Sequence, residues 1–145
     1  MAELRPRINF ITLGVHDMVS MRAFYERLGF KVSGASNANV TFFDAGGVVL
    51  GLFGSAELAH DAAVAAREPG REFKGFTLAW NATSESHADA VLAHAVTQGA
   101  TLKKPAQKVF WGGYSGYFAD PEGNLWEVAY NHFAELDERM QIRLP

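Results

Sequence analysis

A single carboxylate stands out in the most strongly patterned stretch of the sequence, residues 110–131. Glu127 lies between Trp126 and Val128, in a segment whose other residues are typical of a buried strand. A carboxylate in apolar surroundings is costly unless a cation, a metal ion or a hydrogen-bond donor meets it. Glu127 is therefore the candidate catalytic residue, acting as a general base on a bound molecule. The alternative is a structural carboxylate that an Arg side chain, or Tyr and Trp donors, would satisfy.

A predicted β-hairpin positions Glu127. Two aromatic, glycine-containing runs flank residues 120–124 (DPEGN), where Pro121 fixes one turn dihedral and Gly123 tolerates positive φ. The run before the turn contains Trp111 and Tyr114, which could stack on a ligand and hydrogen-bond to it. They could equally pack across the strands or at a dimer interface, and the sequence leaves both possibilities open.

The same hairpin has a second, fainter copy earlier in the chain. At a spacing of 76 residues, Phe42 and Asp44 match Phe118 and Asp120. The opening strand also recurs, and each copy has the order strand, helix, strand, strand, strand. Neither copy alone could bury both its helix and the opposite sheet face, so the two must share a core or a cleft. The sequence therefore predicts an α+β fold of two tandem βαβββ modules.

The chain is predicted to be a single domain, residues 1–145, which consists of two modules, a connector between them and a C-terminal tail. Module one covers about residues 7–54 and module two about residues 73–131. An alanine-rich connector at 55–72 joins them and could begin with a helical turn, whereas the polar tail at 132–145 is expected to lie along the body or along a partner chain.

Capping residues set the predicted helix boundaries. Asp17 begins the first helix and Gly29 ends it, and Thr83 or Ser84 begins the second, which ends before Gly99. Alternating or β-branched runs predict strands at residues 7–15, 30–33, 39–43, 48–53 and 73–81, in addition to the final hairpin. A loop is expected around residues 103–108.

Composition restricts the class of protein. A chain of 145 residues with 48% hydrophobic and 20% charged residues is typical of one globular domain. A net charge of -3 with scattered basic residues argues against nucleic-acid and anionic-membrane partners. There is no cysteine, which excludes disulfides and thiolate chemistry. The N-terminus lacks a hydrophobic signal core and no apolar run could span a membrane, so we expect a cytoplasmic protein.

The sequence resembles the vicinal oxygen chelate superfamily, which includes glyoxalases, bleomycin-resistance proteins and extradiol dioxygenases. The likeness covers about residues 7–131. Two motifs carry the likeness. The first, in residues 17–30, consists of Asp17, the pair Phe24-Tyr25 and the run Leu28-Gly29-Phe30, and the second is the turn at 120–124. This resemblance implies curved mixed sheets around a cleft, and a homodimer.

The resemblance also implies where a metal ion would bind. In metal-using members each module supplies one ligand from its first strand and one from its last. Those positions carry over to Phe10, Phe76, Gly51 and Glu127. Only Glu127 can bind a metal, whereas a catalytic site normally needs three protein ligands. We therefore expect a glyoxalase-like member that is poor in metal ligands, with no metal and no other cofactor.

What remains is a cleft for a small hydrophobic or aromatic molecule. The candidate ligand-binding residues are Phe10, Phe76, Trp80, Trp111, Tyr114, Leu125 and Glu127. Phe10 and Phe76 could be stacking walls, or they could plug the metal positions. The preferred function is metal-independent binding, as in bleomycin-resistance proteins. The alternatives are a glyoxalase-like lyase or isomerase that uses Glu127 as base or sole metal ligand, and a filled cleft with a role in dimer contacts.

Overall fold

Two βαβββ modules form the chain, which a computed structural model describes from residue 4 to residue 145. The elements in chain order are β1 (Phe10–Val15), α1 (Met18–Leu28), β2 (Val40–Asp44), β3 (Val49–Gly54), α2 (Ser55–Asp61), β4 (Leu78–Asn81), α3 (Glu85–Thr97), β5 (Thr101–Lys108), β6 (Tyr114–Ala119), β7 (Leu125–Tyr130), β8 (Glu135–Leu136) and β9 (Ile142–Arg143). No helix within this range is both long and apolar enough to cross a membrane.

The two modules share one sheet topology. Module one has the strand order β1-β3-β2 and module two the order β4-β7-β6-β5. In both, the first strand lies parallel beside the last, and the remaining pairs are antiparallel. The strand expected at residues 30–33 is reduced to one bridge between Val32 and Phe43. The predicted α+β architecture is confirmed.

The helix boundaries follow the predicted caps. The Asp17 carboxylate accepts a hydrogen bond from the Ser20 N–H at 3.0 Å, and Gly29 ends α1 with a φ of 117°. Ser84, rather than Thr83, caps α3, since its hydroxyl accepts a hydrogen bond from the His87 N–H at 3.0 Å. Both helices therefore start where a side-chain oxygen satisfies a free N–H group.

Two stretches differ from the sequence prediction. Residues 101–108 form strand β5 rather than a loop, paired with β6 through two register shifts. Pro105 and the lysines around it are tolerated there because β5 is an edge strand. Conversely, the strand predicted at 73–81 begins only at Leu78, after Gly75 has adopted a φ of 86°.

One hydrophobic core joins the modules. It contains the inner faces of α1 and α3 and the helix-facing residues of both large sheets, including Leu13, Leu50, Leu52, Trp126 and Val128. At its centre the Tyr25 hydroxyl donates a hydrogen bond to Asp120 Oδ2 at 2.6 Å and accepts one from Trp126 Nε1 at 3.0 Å. Burial, followed by the nearby Asp120 charge, raises the pKa of Tyr25 well above its ordinary value.

The tail extends from module two to module one. Residues 132–145 include a small hairpin, β8–β9, whose turn Asp137 closes by accepting hydrogen bonds from the Arg139 and Gln141 N–H groups. The Gln141 side chain lies against Gly47 in the β2–β3 turn. The tail therefore follows the body of its own chain, one of the two predicted positions.

Candidate functional site

Glu127 lies on the sheet face that is turned away from the helices. Its neighbours Trp126 and Val128 are buried in the core, whereas Glu127 is half-buried, because successive side chains of a strand point to opposite faces. The register places Glu127 opposite Tyr117 on β6 and Ala79 on β4. The Tyr117 hydroxyl donates a hydrogen bond to Glu127 Oε2 at 3.1 Å.

This pair has defined donor and acceptor roles. Burial, followed by the charge of Glu127 and their hydrogen bond, raises the pKa of Tyr117. The phenol is therefore protonated at neutral pH and acts as the donor. Within residues 4–145 the Tyr117 hydroxyl is the only hydrogen-bond partner of the Glu127 carboxylate, which leaves Oε1 free to accept a hydrogen bond or a proton from a ligand.

Further side chains extend this face of module two. Leu125, also half-buried, lies opposite Ala119 on the same side of the sheet as Glu127. Lys104 on β5 is exposed and is the register partner of Tyr117. Module two therefore carries four different groups in this region: an apolar side chain, a phenol, a carboxylate and an ammonium group.

The corresponding face of module one is aromatic. Thr12 and Phe42 both lie opposite Gly51. A Cβ atom at residue 51 would lie 3.3 Å from Thr12 Oγ1 and 3.6 Å from the Phe42 ring. Phe10 packs edge-on against Phe42, with ring centroids 5.8 Å apart, yet stays 57% exposed. Phe10 therefore does not fill a closed core position.

Phe76 lies in the irregular segment before β4. It is 42% exposed and lines a cavity at the junction of the two modules. The register pairs Thr12 with Gly51 and Ala79 with Glu127, so the module-two counterpart of Phe10 is Thr77. Matching Phe10 with Phe76 was wrong by one residue, because the strand pairing places the equivalent positions 67 residues apart (Thr12 and Ala79) rather than 66.

Two of the predicted ligand-binding residues lie on the other side of the sheet. Trp80 is the register partner of Val128, packs against the core and meets the His87 ring edge-on at 5.2 Å. The Tyr114 hydroxyl donates a hydrogen bond to Asp89 Oδ1 on α3 at 2.7 Å. The expected position of Trp80 in the cleft is therefore wrong, since alternation in β4 places Ala79 rather than Trp80 beside Glu127. Trp80 and Tyr114 therefore lie outside the candidate site.

Trp111 lies neither on the Glu127 face nor on the helix side of the sheet. It belongs to the β5–β6 loop, which closes through hydrogen bonds between Val109 and Gly113 and between Gly112 and Val109. Its ring lies over Gly113 and is partly exposed. This loop stands at the opposite end of β6 from the 120–124 turn, so Trp111 is not brought beside Glu127.

The residues at the family's metal positions do not fit a divalent ion. Phe10 and Gly51 in module one, and Thr77 and Glu127 in module two, offer one carboxylate and one hydroxyl. Between residues 4 and 145 no three His, Asp or Glu side chains are arranged to hold a metal. A stable catalytic site needs more donors than this set provides.

Sequence reasoning missed Tyr117, although a signal for it was present. The hairpin is symmetric about Glu122, and counting outward from that residue pairs Tyr117 with Glu127. Lys104 could not have been found in this way, because the bulges of β5 shift its register.

Comparisons with known proteins agree with this geometry. A glyoxalase-related enzyme from Fulvimarina pelagi is 29% identical, with a TM-score of 0.85 over 95% of this chain and 97% of that one. A glyoxalase/bleomycin resistance protein/dioxygenase from Nocardioides is 25% identical, with a TM-score of 0.72 over 89% and 85% of the two chains. Lactoylglutathione lyase from Agrobacterium tumefaciens, at 22% identity and a TM-score of 0.67 over 90% and 97%, shares the fold.

The family assignment comes from the sequence profile match. No curated protein sequence matches the chain significantly. The profile of the glyoxalase/bleomycin resistance protein/dioxygenase superfamily, however, matches residues 7–128, which include both modules except the end of the last strand. With the paired βαβββ topology, this match identifies the chain as a member of the glyoxalase/bleomycin resistance protein/dioxygenase superfamily.

Proposed function

We propose that this protein binds a small hydrophobic or aromatic molecule against the face that carries Glu127, without a metal ion, as bleomycin-resistance proteins do. The main support is the Tyr117–Glu127 hydrogen bond on a half-exposed sheet face that also carries Leu125. A donor and an acceptor beside apolar surface can orient a ligand while its apolar part is removed from water. Glu127 would favour a ligand that carries a cation or a hydrogen-bond donor.

The aromatic face of module one supplies a second apolar surface in this proposal. Phe10 keeps most of its ring exposed while Phe42 supports it from one side. Rings held in this way can pair with an aromatic ligand through edge-to-face or offset contacts.

We also propose that the protein is a homodimer. Light scattering of the purified protein would measure its oligomeric state.

Thermal unfolding with aromatic amines and their neutral analogues tests the binding proposal, because a ligand of the folded state raises the Tm by mass action. We expect Glu127→Gln to weaken an aromatic amine about tenfold and to leave a neutral analogue nearly unchanged, since only the amine interacts with the charge. Glu138→Gln, at an exposed position in the tail, is the matched control. Equal weakening of both ligands, or of neither, would contradict the anchor role of Glu127.

A glyoxalase-like lyase or isomerase is the second candidate function. The free Oε1 atom of Glu127, beside a hydroxyl donor, supports it, because such a reaction needs a base and a nearby proton donor. Assaying lactoylglutathione formation before and after chelation, together with metal analysis, separates the two functions. Activity that survives chelation and is lost in Glu127→Gln would favour the enzyme, whereas activity that requires a stoichiometric metal would contradict both metal-free proposals.

A further inference from the structure

A separate cavity of about 200 Å³ lies between the two modules. Its lining comes from the end of β1, the start of α2, the connector and the 120–124 turn. Among the lining residues are Thr12, Ser55, Arg67, Glu68, Lys74 and Glu122. Tyr117, Leu125 and Glu127 are not among them, so the cavity is distinct from the Glu127 face.

Specific contacts hold the walls of this cavity together. The Glu122 carboxylate accepts hydrogen bonds from the His16 N–H at 2.7 Å and the Asp17 N–H at 2.8 Å, which fixes the turn to the start of α1. Lys74 Nζ donates to the Glu122 carbonyl oxygen at 2.7 Å, which fixes the segment that follows the connector to the same turn. The connector also packs on Gly123, where a Cβ atom would lie 2.8 Å from the Arg71 Cα. The cavity is therefore a built feature of the fold.

The charged side chains of the lining differ in how many hydrogen-bond partners they have. Arg67 makes no hydrogen bond or ion pair with any residue between 4 and 145, and the partner of Lys74 is a neutral carbonyl. The Glu122 carboxylate, by contrast, already accepts two main-chain N–H groups. Glu68 is the remaining acidic side chain, and the Thr12 and Ser55 hydroxyls lie in the same lining. Two cations with unused donors thus share the space with hydroxyl donors.

We propose that this cavity binds the anionic group, carboxylate or phosphate, of a small molecule through Arg67 and Lys74. A guanidinium group forms paired hydrogen bonds with such oxyanions, and an ammonium group adds a point charge. At about 200 Å³ the space is smaller than the ~300 Å³ at which drug-sized pockets begin, so the ligand is a small polar molecule. The inference does not rest on the function proposed for the Glu127 face.

Isothermal titration calorimetry with inorganic phosphate and with acetate, at constant ionic strength, tests this site. We expect saturable binding of at least one anion below ~20 mM, because Kd values in the millimolar range correspond to a weak single-site contact. Arg67→Gln should weaken it about tenfold, and Lys103→Gln, an exposed lysine on β5, should leave it unchanged. Comparing the two anions decides between a phosphate and a carboxylate ligand.

A variant of Glu68, a negatively charged residue of the same lining, tests the proposal in the opposite direction. If an anion binds beside it, Glu68→Gln should strengthen binding about threefold, because a like charge is removed. Glu127→Gln should have no effect, which separates a failure here from a failure of the proposed function. The inference is overturned if neither anion binds saturably, if Arg67→Gln binds as tightly as the wild type, or if Glu68→Gln weakens binding.

Discussion

At the scale of single residues, Tyr117 determines what Glu127 can do. The phenol donates its proton into the hydrogen bond, so one carboxylate oxygen is held in place while the other remains available. A lone carboxylate on a half-exposed strand would be free to rotate. The pair is therefore a better orienting group than the acid alone.

The pKa of Tyr117 reports directly on this contact. It is raised by burial, by the negative charge of Glu127 and by their hydrogen bond. Glu127→Gln removes the charge, so we expect the pKa of Tyr117 to fall toward its ordinary value. Carbon-13 NMR of the tyrosine ring, assigned with Tyr117→Phe, measures the change. A pKa that does not move would mean that Glu127 and Tyr117 are not in contact in solution.

At the scale of elements, the 120–124 turn connects three parts of the chain. Its Asp120 accepts a hydrogen bond from Tyr25 of α1, its Glu122 accepts the main-chain N–H groups just before α1, and its Gly123 packs against the connector. A change in this turn therefore affects both modules and the cavity between them.

Gly123 can be compared directly with Gly29. Both have positive φ, 88° and 117°, but a Cβ atom at Gly29 would meet nothing within 4 Å, whereas one at Gly123 would press on the Arg71 main chain. We expect Gly29→Ala to lower the free energy of unfolding by about 1–2 kcal/mol. Gly123→Ala should cost about 1–3 kcal/mol more, because overpacking adds to the dihedral strain. Urea unfolding of both variants measures the difference, and equal losses would contradict the close packing of the connector.

The sequence predicted elements best where local chemistry decides them. Asp17 and Gly29 bound α1 because capping depends on one or two residues. β5 was missed because Pro105 and its lysines match a loop in isolation, and only the position at a sheet edge permits a strand. Trp80 was placed on the wrong side of the sheet because the sequence match of Phe10 with Phe76 is one residue out of step with the structural match of Thr12 with Ala79. The cavity depends on contacts between distant segments, which residue patterns do not encode.

At the scale of the whole molecule, Tyr25 links the modules through a buried polar contact. Its hydroxyl lies between Asp120 and Trp126 in an otherwise apolar core. Burying such polar groups costs little free energy while all their hydrogen bonds are made, but removing one partner leaves a buried group unsatisfied and lowers the stability.

Tyr25→Phe should lower the free energy of unfolding by about 1–3 kcal/mol at neutral pH, because Trp126 Nε1 loses its acceptor. The pKa of Tyr25 is raised in the folded state, so the unfolded chain loses this proton first as the pH rises above about 10. Wild-type stability should therefore fall with pH in that range, and Tyr25→Phe should fall less steeply. Urea unfolding from pH 8 to 11 checks this, with Tyr130→Phe as the control; parallel curves for all three proteins would contradict it.

The edge strand β5 also restricts how copies of this chain can associate. Its outer border carries Lys103, Lys104 and Lys108 together with Pro105, which has no N–H to donate. Positive charges repel an incoming strand of the same kind, and the missing donor interrupts any added hydrogen-bond ladder. Continuous intermolecular sheets are thereby discouraged along this border, so self-association must use another part of the surface.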